Sequence, residues 1–254
     1  LFFIYILYRG RGYSSMIYIF DVDGTLTPSR DAMDIQFANW FEHFATHNAV
    51  YLASGSDRQK TLEQIPEHIY NLCIKVYQCS GNSVWEQSRN IYNSDWKLPE
   101  EPRLYLEAVL KHSDFSIKTG SHFDERPGLF NFSILGRNAD KEQRAEYVFH
   151  DNVLNARRKI SEDFNLHFSD KFGILSQVAG ETGIDITPVG KGKEQILDEF
   201  DPVTHITFFG DKTQMGGNDF EISQRVQLMT NGNSLRAMES LAEVSSKISE
   251  GEFL

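Results

Sequence analysis

The segment MIYIFDVDGTLT, residues 16–27, constrains the fold more than any other. Five apolar, β-prone residues run straight into a loop carrying two aspartates one residue apart, Asp21 and Asp23, followed by Gly24 and Thr25. A short apolar run bounded by a turn signal reads as a buried strand. An acidic loop at the strand's C-terminal end lies where open α/β sheets present ligands. The pattern recurs: AVYLAS (49–54) runs into SGSD, HITFFG (205–210) runs into an aspartate, and VQLMTNG (226–232) reads as a further strand. Between these runs lie helical patterns. DAMDIQFANWFEHFATH puts Phe37, Trp40, Phe41 and Phe44 on one side, RQKTLEQ is stopped by Pro66, and KEQILDEF and SLRAMESLAEVSSKI complete the set. Buried strands alternating with amphipathic helices predict a doubly wound, parallel α/β sheet.

The middle of the chain breaks this alternation and predicts an α+β insertion over 84–187. VWEQ and RNIYNS read as a hairpin, PRLYLEAVLKHS as a helix, GLFNFSILG as a strand and DNVLNARRKISEDF as a second helix. LHFSD, KFGILSQVAG and GIDITPV read as further strands. The expected division is an extension over 1–15, core over 16–83, insertion over 84–187 and core again over 188–254. The first methionine is Met16, and LFFIYIL before it falls short of the roughly 18 residues that span a membrane. The net charge of -11 argues against a nucleic-acid partner. Cys73 and Cys79 fit neither a zinc spacing nor a disulfide framework. A reduced, cytoplasmic enzyme with no membrane partner is the expectation.

Chemistry concentrates in four places. In DVDGTLT, one carboxylate can face a metal and a phosphorus while the other reaches a transferring oxygen. Gly24 allows a tight loop, and Thr25 offers a hydroxyl and an N–H to phosphate. GDKTQMGGND (210–219) again breaks a strand into acidic residues, with two glycines for close backbone approach. SGSD (54–57) and GKGKEQIL (190–197) are weaker signals, each of which also suits a polar turn or a solvated lysine pair.

Taken in chain order, DVDGTLT, SGSD, GKGKEQIL and GDKTQMGGND resemble the haloacid dehalogenase superfamily, whose signature is DxDGT after the first core strand. The resemblance implies a Rossmann-like core, Asp21 as nucleophile, Asp23 as general acid/base and a phosphate-binding serine at Ser54 or Ser56. It implies a buried lysine at Lys193 (Lys191 second) and Mg²⁺ held by Asp21, the backbone carbonyl of Asp23, and Asp211. Asp219 and Asn218 complete the metal site as supporting groups. Oxygen ligands of this kind suit magnesium, and the spacing matches no EF-hand.

A closer resemblance is carried by FFGDKT followed by GGNDxEI, by FDVDGTLTPSR, by RPGLFNFSILGR (126–137) and by EQR (142–144). These are similar to the eukaryotic phosphomannomutase family within that superfamily, over residues 16 to about 225. The likeness implies an α+β cap, a cap-mediated homodimer, and substrate roles for Arg30, Arg126, Arg137, Arg144 and Asp185. Guanidinium forks suit the distant phosphate of a sugar bisphosphate. The implied reaction interconverts mannose 6-phosphate and mannose 1-phosphate, with glucose phosphates as possible substrates. A sugar-phosphate phosphatase is the alternative, and a non-catalytic sugar-phosphate sensor is disfavoured because both Asp21 and Asp23 are present. Two departures stand out. Gly183, beside Thr182, replaces the family's usual serine two positions before Asp185. SQRVQ (223–227) puts Arg225 where a second cation site would need a carboxylate, so that site is expected to be absent.

Overall fold

The computed structural model describes residues 16–229 and 232–236. A seven-stranded sheet runs in the order β11-β10-β1-β2-β3-β4-β5. Its strands are β1 (Met16–Phe20), β2 (Ala49–Ala53), β3 (Lys75–Gln78), β4 (Ser83–Glu86), β5 (Arg89–Asn93), β10 (His205–Gly210) and β11 (Gly232–Arg236). β11, β10, β1, β2 and β3 are parallel, and the β4–β5 hairpin adds two antiparallel strands at the edge. β1 lies between β10 and β2, so the loops after all three strands open at the same end of the sheet. This adjacency brings three of the four chemical segments together.

Burial on both faces explains the unbroken apolar strands. On one face, α1 (Ile35–His47) and α3 (Glu67–Leu72) pack through Phe37, Phe41, Phe44, Ile69 and Tyr70 onto Phe20, Leu52 and Phe209. Phe20 and Phe209 stack at 4.6 Å between ring centres. Asp34 caps α1 by accepting from the N–H groups of Gln36 and Phe37. On the other face, a 3-10 segment (Lys193–Glu199) and α7 (Phe220–Leu228) supply Ile196, Leu197, Ile222 and Val226. A short helix α2 (Arg58–Gln64), capped by Asp57, follows SGSD.

The second sheet is antiparallel, in the order β6-β7-β9-β8, from β6 (Phe123–Arg126), β7 (Leu129–Phe132), β8 (Ile174–Ala179) and β9 (Gly183–Pro188). It is backed by α4 (Glu100–His112), α5 (Lys141–Leu154) and α6 (Ala156–Phe172), around a separate core that includes Leu106, Phe132, Tyr147, Phe164 and Phe168. The two sheets meet where the end of β8 joins the loop after β10. Val178 N–H donates to Gly216 O at 2.8 Å, and Asn218 N–H donates to Val178 O at 3.1 Å.

The α/β class agrees with the sequence reading, but several elements differ. The hairpin expected inside the insertion belongs to the first sheet, so the chain leaves that sheet after Asn93 rather than at residue 84. Two strands, β3 and β6, had no counterpart in that reading. LHFSD is helical, inside α6, because Phe164 and Phe168 are buried while Leu166 between them is exposed, a helical rather than strand-like arrangement. DNVLNARRKISEDF is two helices separated at Asn155, whose φ of 52° breaks the run. Residues 226–228 of the expected strand VQLMTNG close α7, where Val226 packs one turn after Ile222, and the strand itself starts at Gly232. The expected helix 234–248 lies outside the described residues except for 234–236, which are strand. The extension 1–15 lies wholly outside them. Among the described residues no helix is long and apolar enough to cross a membrane.

Candidate active site

The loops after β1, β2 and β10 and the cap strands β7 and β9 enclose a cleft of about 640 Å³, including its open mouth. Asp21, Asp23, Arg30, Ser56 and Asp211 line it from the core, and Arg126, Arg137, Asn131 and Asp185 line it from the cap.

Asp21 extends β1 by one residue, its N–H donating to Phe209 O at 2.8 Å. Its carboxylate is buried and held from two sides. Lys193 Nζ lies 2.5 Å from Oδ1, and Thr25 Oγ1 donates to Oδ2 at 3.3 Å. Lys193 also bonds Asp219 Oδ1 at 2.6 Å, while Asp219 Oδ2 accepts from Lys212 N–H at 3.1 Å. Both oxygens of the fully buried Asp219 are therefore engaged, and it serves as an anchor for Lys193. Lys191, by contrast, is exposed.

Carboxylate oxygens of Asp21, Asp211 and Asp219 lie within 4.8 Å of one another. Burial first, then repulsion from Asp219 and Asp211, pushes Asp21 well above the ordinary carboxylate range, although Lys193 opposes the shift. Burial, then Asp219, raises Asp211 as well. Asp21 and Asp219 share the buried ammonium of Lys193, and Asp211 pairs with the half-buried Lys212 at 3.0 Å, so the cluster keeps a surplus negative charge on oxygen ligands that fits a hard divalent cation. Gly24 makes the arrangement possible. Its φ is 83°, and a Cβ there would lie 2.6 Å from Asp211 Oδ2.

Asp23 faces away from this cluster. Its Oδ1 accepts from Gln64 Nε2 at 2.9 Å and from Arg30 N–H at 3.0 Å, and its Oδ2 accepts from Ser56 Oγ at 3.3 Å. Ser56 lines the cleft. Ser54 is buried behind it, its Oγ accepting from Ser56 N–H at 3.0 Å. Thr25, Lys193 and Asp219 likewise act from behind the lining.

On the cap side, Asp124 Oδ2 accepts from both Arg126 and Arg137, fixing the two guanidiniums side by side. Arg126 Nη1 also donates to Gly55 O at 2.5 Å, a direct contact between the cap and the serine loop. Arg144 sits behind the lining, paired with Glu181 at 2.5 Å. Burial, then Arg144 and Arg137, lowers the Arg30 guanidinium to about 10 despite Asp23. Arg30 is also held at a φ of 58°, unusual for a long side chain. Crowded, half-desolvated guanidiniums of this kind suit a bound anion. Asp185 is raised by burial, against the pull of Arg126 and of a 2.6 Å hydrogen bond from Asn131.

The cleft therefore collects Asp21, Asp23, Arg30, Ser56, Arg126, Arg137, Asp185 and Asp211, with Thr25, Ser54, Lys193, Asp219 and Arg144 in support. Sequence reasoning missed Gln64, Asn131 and Lys60. Gln64 and Lys60 follow SGSD on α2, where helical spacing could have flagged them. Asn131 lies within the quoted segment 126–137. Arg225 donates to Asp198 and to Glu194 O, both at 2.8 Å.

The family model described as eukaryotic phosphomannomutase matches residues 37–240. The chain belongs to the eukaryotic phosphomannomutase family. It is 31% identical over 214 residues to a phosphomannomutase of Arabidopsis thaliana, covering 82% of this chain and 86% of that one. The phosphomannomutase of Saccharomyces cerevisiae is 28% identical over 239 residues, covering 91% and 92%. Among solved structures, an IMP-bound Plasmodium falciparum IMP-nucleotidase is similar with a TM-score of 0.58 at 14% identity, covering 98% of this chain and 70% of that one. The C-terminal domain of a C. albicans trehalose-6-phosphate phosphatase gives 0.57 at 14%, covering 84% and 74%. At such identities these two likenesses carry the fold alone. The Asp21 and Arg126–Arg137 segments lie on either side of the start of the matched family region: the first precedes residue 37 and the second falls inside it.

Proposed function

We propose that this member of the phosphomannomutase family is a phosphohexomutase, interconverting mannose 6-phosphate and mannose 1-phosphate through a phospho-aspartate and a sugar bisphosphate. Asp21 is the nucleophile. In the first half-reaction an Asp21 oxygen attacks the phosphorus of the bisphosphate, the P–O bond to the sugar breaks, and the leaving oxygen takes a proton from Asp23. That sugar monophosphate is released, and the other isomer binds with its free hydroxyl toward phospho-Asp21. In the second half-reaction Asp23 takes the proton from that hydroxyl, which attacks phospho-Asp21 and regenerates a bisphosphate. Lys193 balances charge on Asp21 and orients it, and Ser56 contacts the transferring group. Asp21, Asp211 and the Asp23 carbonyl would hold Mg²⁺, which when bound supplies charge neutralisation at the phosphoryl oxygens.

The observation that supports a mutase over a phosphatase is the pair of anion sites in one cleft. The core aspartates line the cleft from one side with Arg30 beside them, and the Arg126–Arg137 pair lines it from the cap. A mutase holds a distal phosphate throughout the exchange, whereas a phosphatase needs only the core site. The deciding experiment is a product assay on mannose 1-phosphate, with and without bisphosphate. Mannose 6-phosphate as the main product supports the proposal. Free phosphate as the main product with bisphosphate present overturns it in favour of the phosphatase.

A further inference from the structure

Gln64 closes α2 and stands behind Asp23 rather than in the cleft, with 2% of its surface exposed. Its Nε2 donates to Asp23 Oδ1 at 2.9 Å and to Thr27 Oγ1 at 3.1 Å. An ionised carboxylate only accepts, so the amide nitrogen must face it. The amide oxygen then points the other way and finds no donor among the described residues. A buried acceptor without a partner is costly. A methionine would fill the same space without that cost, so the fold alone gives little reason for an amide here. What the amide adds over methionine is the donor on Asp23.

That donor works with a second one. Arg30 N–H reaches the same Oδ1 at 3.0 Å, and it does so from a left-handed backbone with a φ of 58°. Oδ1 is therefore fixed by two donors from two different segments. Oδ2 has only Ser56 Oγ at 3.3 Å, a long contact from a residue that lines the cleft. Thus α2 meets Asp23 from both ends: Ser56 lies just before its cap Asp57, and Gln64 is its last residue.

We infer that Gln64, together with the Arg30 N–H, is a positioning residue for proton transfer: it occupies Asp23 Oδ1 so that Oδ2 is the oxygen that meets the sugar. The inference rests on the phosphoryl-transfer reading of the cleft and extends it. As an Asp21 oxygen forms its bond to phosphorus, the P–O bond to the sugar breaks and its electron pair stays on the sugar oxygen. The proton on Oδ2 passes to that oxygen. In the return step Oδ2 takes the proton back from the attacking hydroxyl. A general acid must sit within hydrogen-bond reach of the oxygen it protonates. Without Gln64 the carboxyl is freer to rotate about its Cβ–Cγ bond, and Oδ2 is no longer held at that distance.

The test compares phosphoryl donors whose leaving groups differ in their need for a proton. Mannose 1,6-bisphosphate must expel a sugar oxygen, which needs one. Acetyl phosphate expels acetate, which does not. Phospho-Asp21 formation is followed by rapid quench in wild type, Gln64→Met and the control Thr27→Val, with melting curves for each. Gln64→Met is expected to lose about 100-fold with the bisphosphate, the scale of a misplaced catalytic group. With acetyl phosphate it should lose only a few-fold, and it should melt no lower than wild type. Thr27→Val removes the other partner of the amide and should keep the wild-type ratio between the two donors. An equal loss on both donors would overturn the inference by showing a merely structural role. No loss on either would overturn it by showing that Oδ1 need not be held. If Gln64→Met does not fold, Gln64→Asn, which withdraws the amide by one methylene, is read the same way. A wild type that takes phosphate from the bisphosphate only to release it free defeats the mutase proposal. The comparison stays readable in that case, because a phosphatase needs the same acid. A wild type phosphorylated by neither donor defeats both.

Discussion

The ammonium of Lys193 lies 2.5 Å from Asp21 Oδ1, and both side chains are closed off from solvent. The lysine comes from the segment just after the cap, and the aspartate ends the first core strand, 172 residues earlier. Lys193 also holds Asp219, so one cation ties together the loops after β1 and β10. Replacing it with methionine leaves the buried Asp21 and Asp219 without a counter-charge, while Asp211 keeps Lys212 at 3.0 Å. Breaking such a pair from one side costs about 3–5 kcal/mol. Lys193→Met is therefore expected to melt well below wild type and to form no phospho-aspartate. Added Mg²⁺ should raise its melting temperature more than it raises that of wild type. Equal metal-induced shifts in the two proteins would contradict the charge surplus inferred for this cluster.

Gly24 supplies a second check on the same cluster. Its positive φ and the 2.6 Å approach of Asp211 Oδ2 to a would-be Cβ leave no room for alanine. Backbone strain alone costs on the order of 1–3 kcal/mol at such a position. Gly24→Ala is expected to weaken Mg²⁺ binding at least tenfold in a calorimetric titration, through displacement of Asp211. Wild-type metal affinity would show that Asp211 is not needed where the structure places it.

The acidic loops were legible because their chemistry is local: an apolar strand running into aspartates announces itself within a dozen residues. Asp211 could be singled out for the same reason, whereas Lys193 stood apart from a solvated lysine pair only through the family resemblance. What escaped the sequence depended on partners far along the chain. Gln64 becomes part of the site only because α2 turns its buried face toward Asp23, 41 residues earlier. The β4–β5 hairpin carries its own strand signals, but nothing local says which sheet it joins. The left-handed run Cys79–Ser80–Gly81, with φ of 51°, 59° and 92°, turns β4 back onto β3 and decides that. LHFSD alternates apolar and polar residues like a strand, yet the burial of Phe164 and Phe168 on one face keeps it helical. The choice between Ser54 and Ser56 needed the bend of the loop, in which Ser54 Oγ turns back to accept from Ser56 N–H and only Ser56 lines the cleft.

Arg157 should support the sugar loop without touching substrate. It pairs with Asp151 at 2.7 Å, and its Nη1 reaches the carbonyls of Gly180 at 2.9 Å, Gly183 at 3.3 Å and Ala179 at 3.4 Å. Those three residues line the cleft opposite the core aspartates. Arg157→Met strands Asp151 and frees the loop, with an expected cost of about 3–5 kcal/mol. Arg157→Lys keeps the charge but not the planar fork. It should raise KM for sugar phosphates several-fold with kcat changed much less. A kcat loss with KM unchanged would instead place Arg157 in the chemistry.

Asp185 ties stability to pH through its burial in the cap sheet. Burial raises its pKa above the ordinary 3.8, so the folded protein holds this proton at pH values where the unfolded chain has released it. Its contribution to stability is thus fully present below the ordinary carboxylate range and is lost as pH rises through the folded pKa. Asp185→Asn is a neutral mimic of the protonated acid and can still accept from Asn131. The ligand-free variant is expected to melt above wild type at pH 7, and the gain should shrink as pH falls and the wild-type carboxyl takes up its proton. Activity should move the other way, because an amide is a weaker acceptor for a sugar hydroxyl and no longer offsets Arg126. A buried carboxylate that destabilises the empty protein is the expected signature of a group kept for its ligand. Melting curves for both proteins at pH 4, 5.5 and 7, with mannose 1-phosphate assays at pH 7, check both halves. A variant less stable than wild type at pH 7 would show that the pull of Arg126 outweighs the cost of burying the charge.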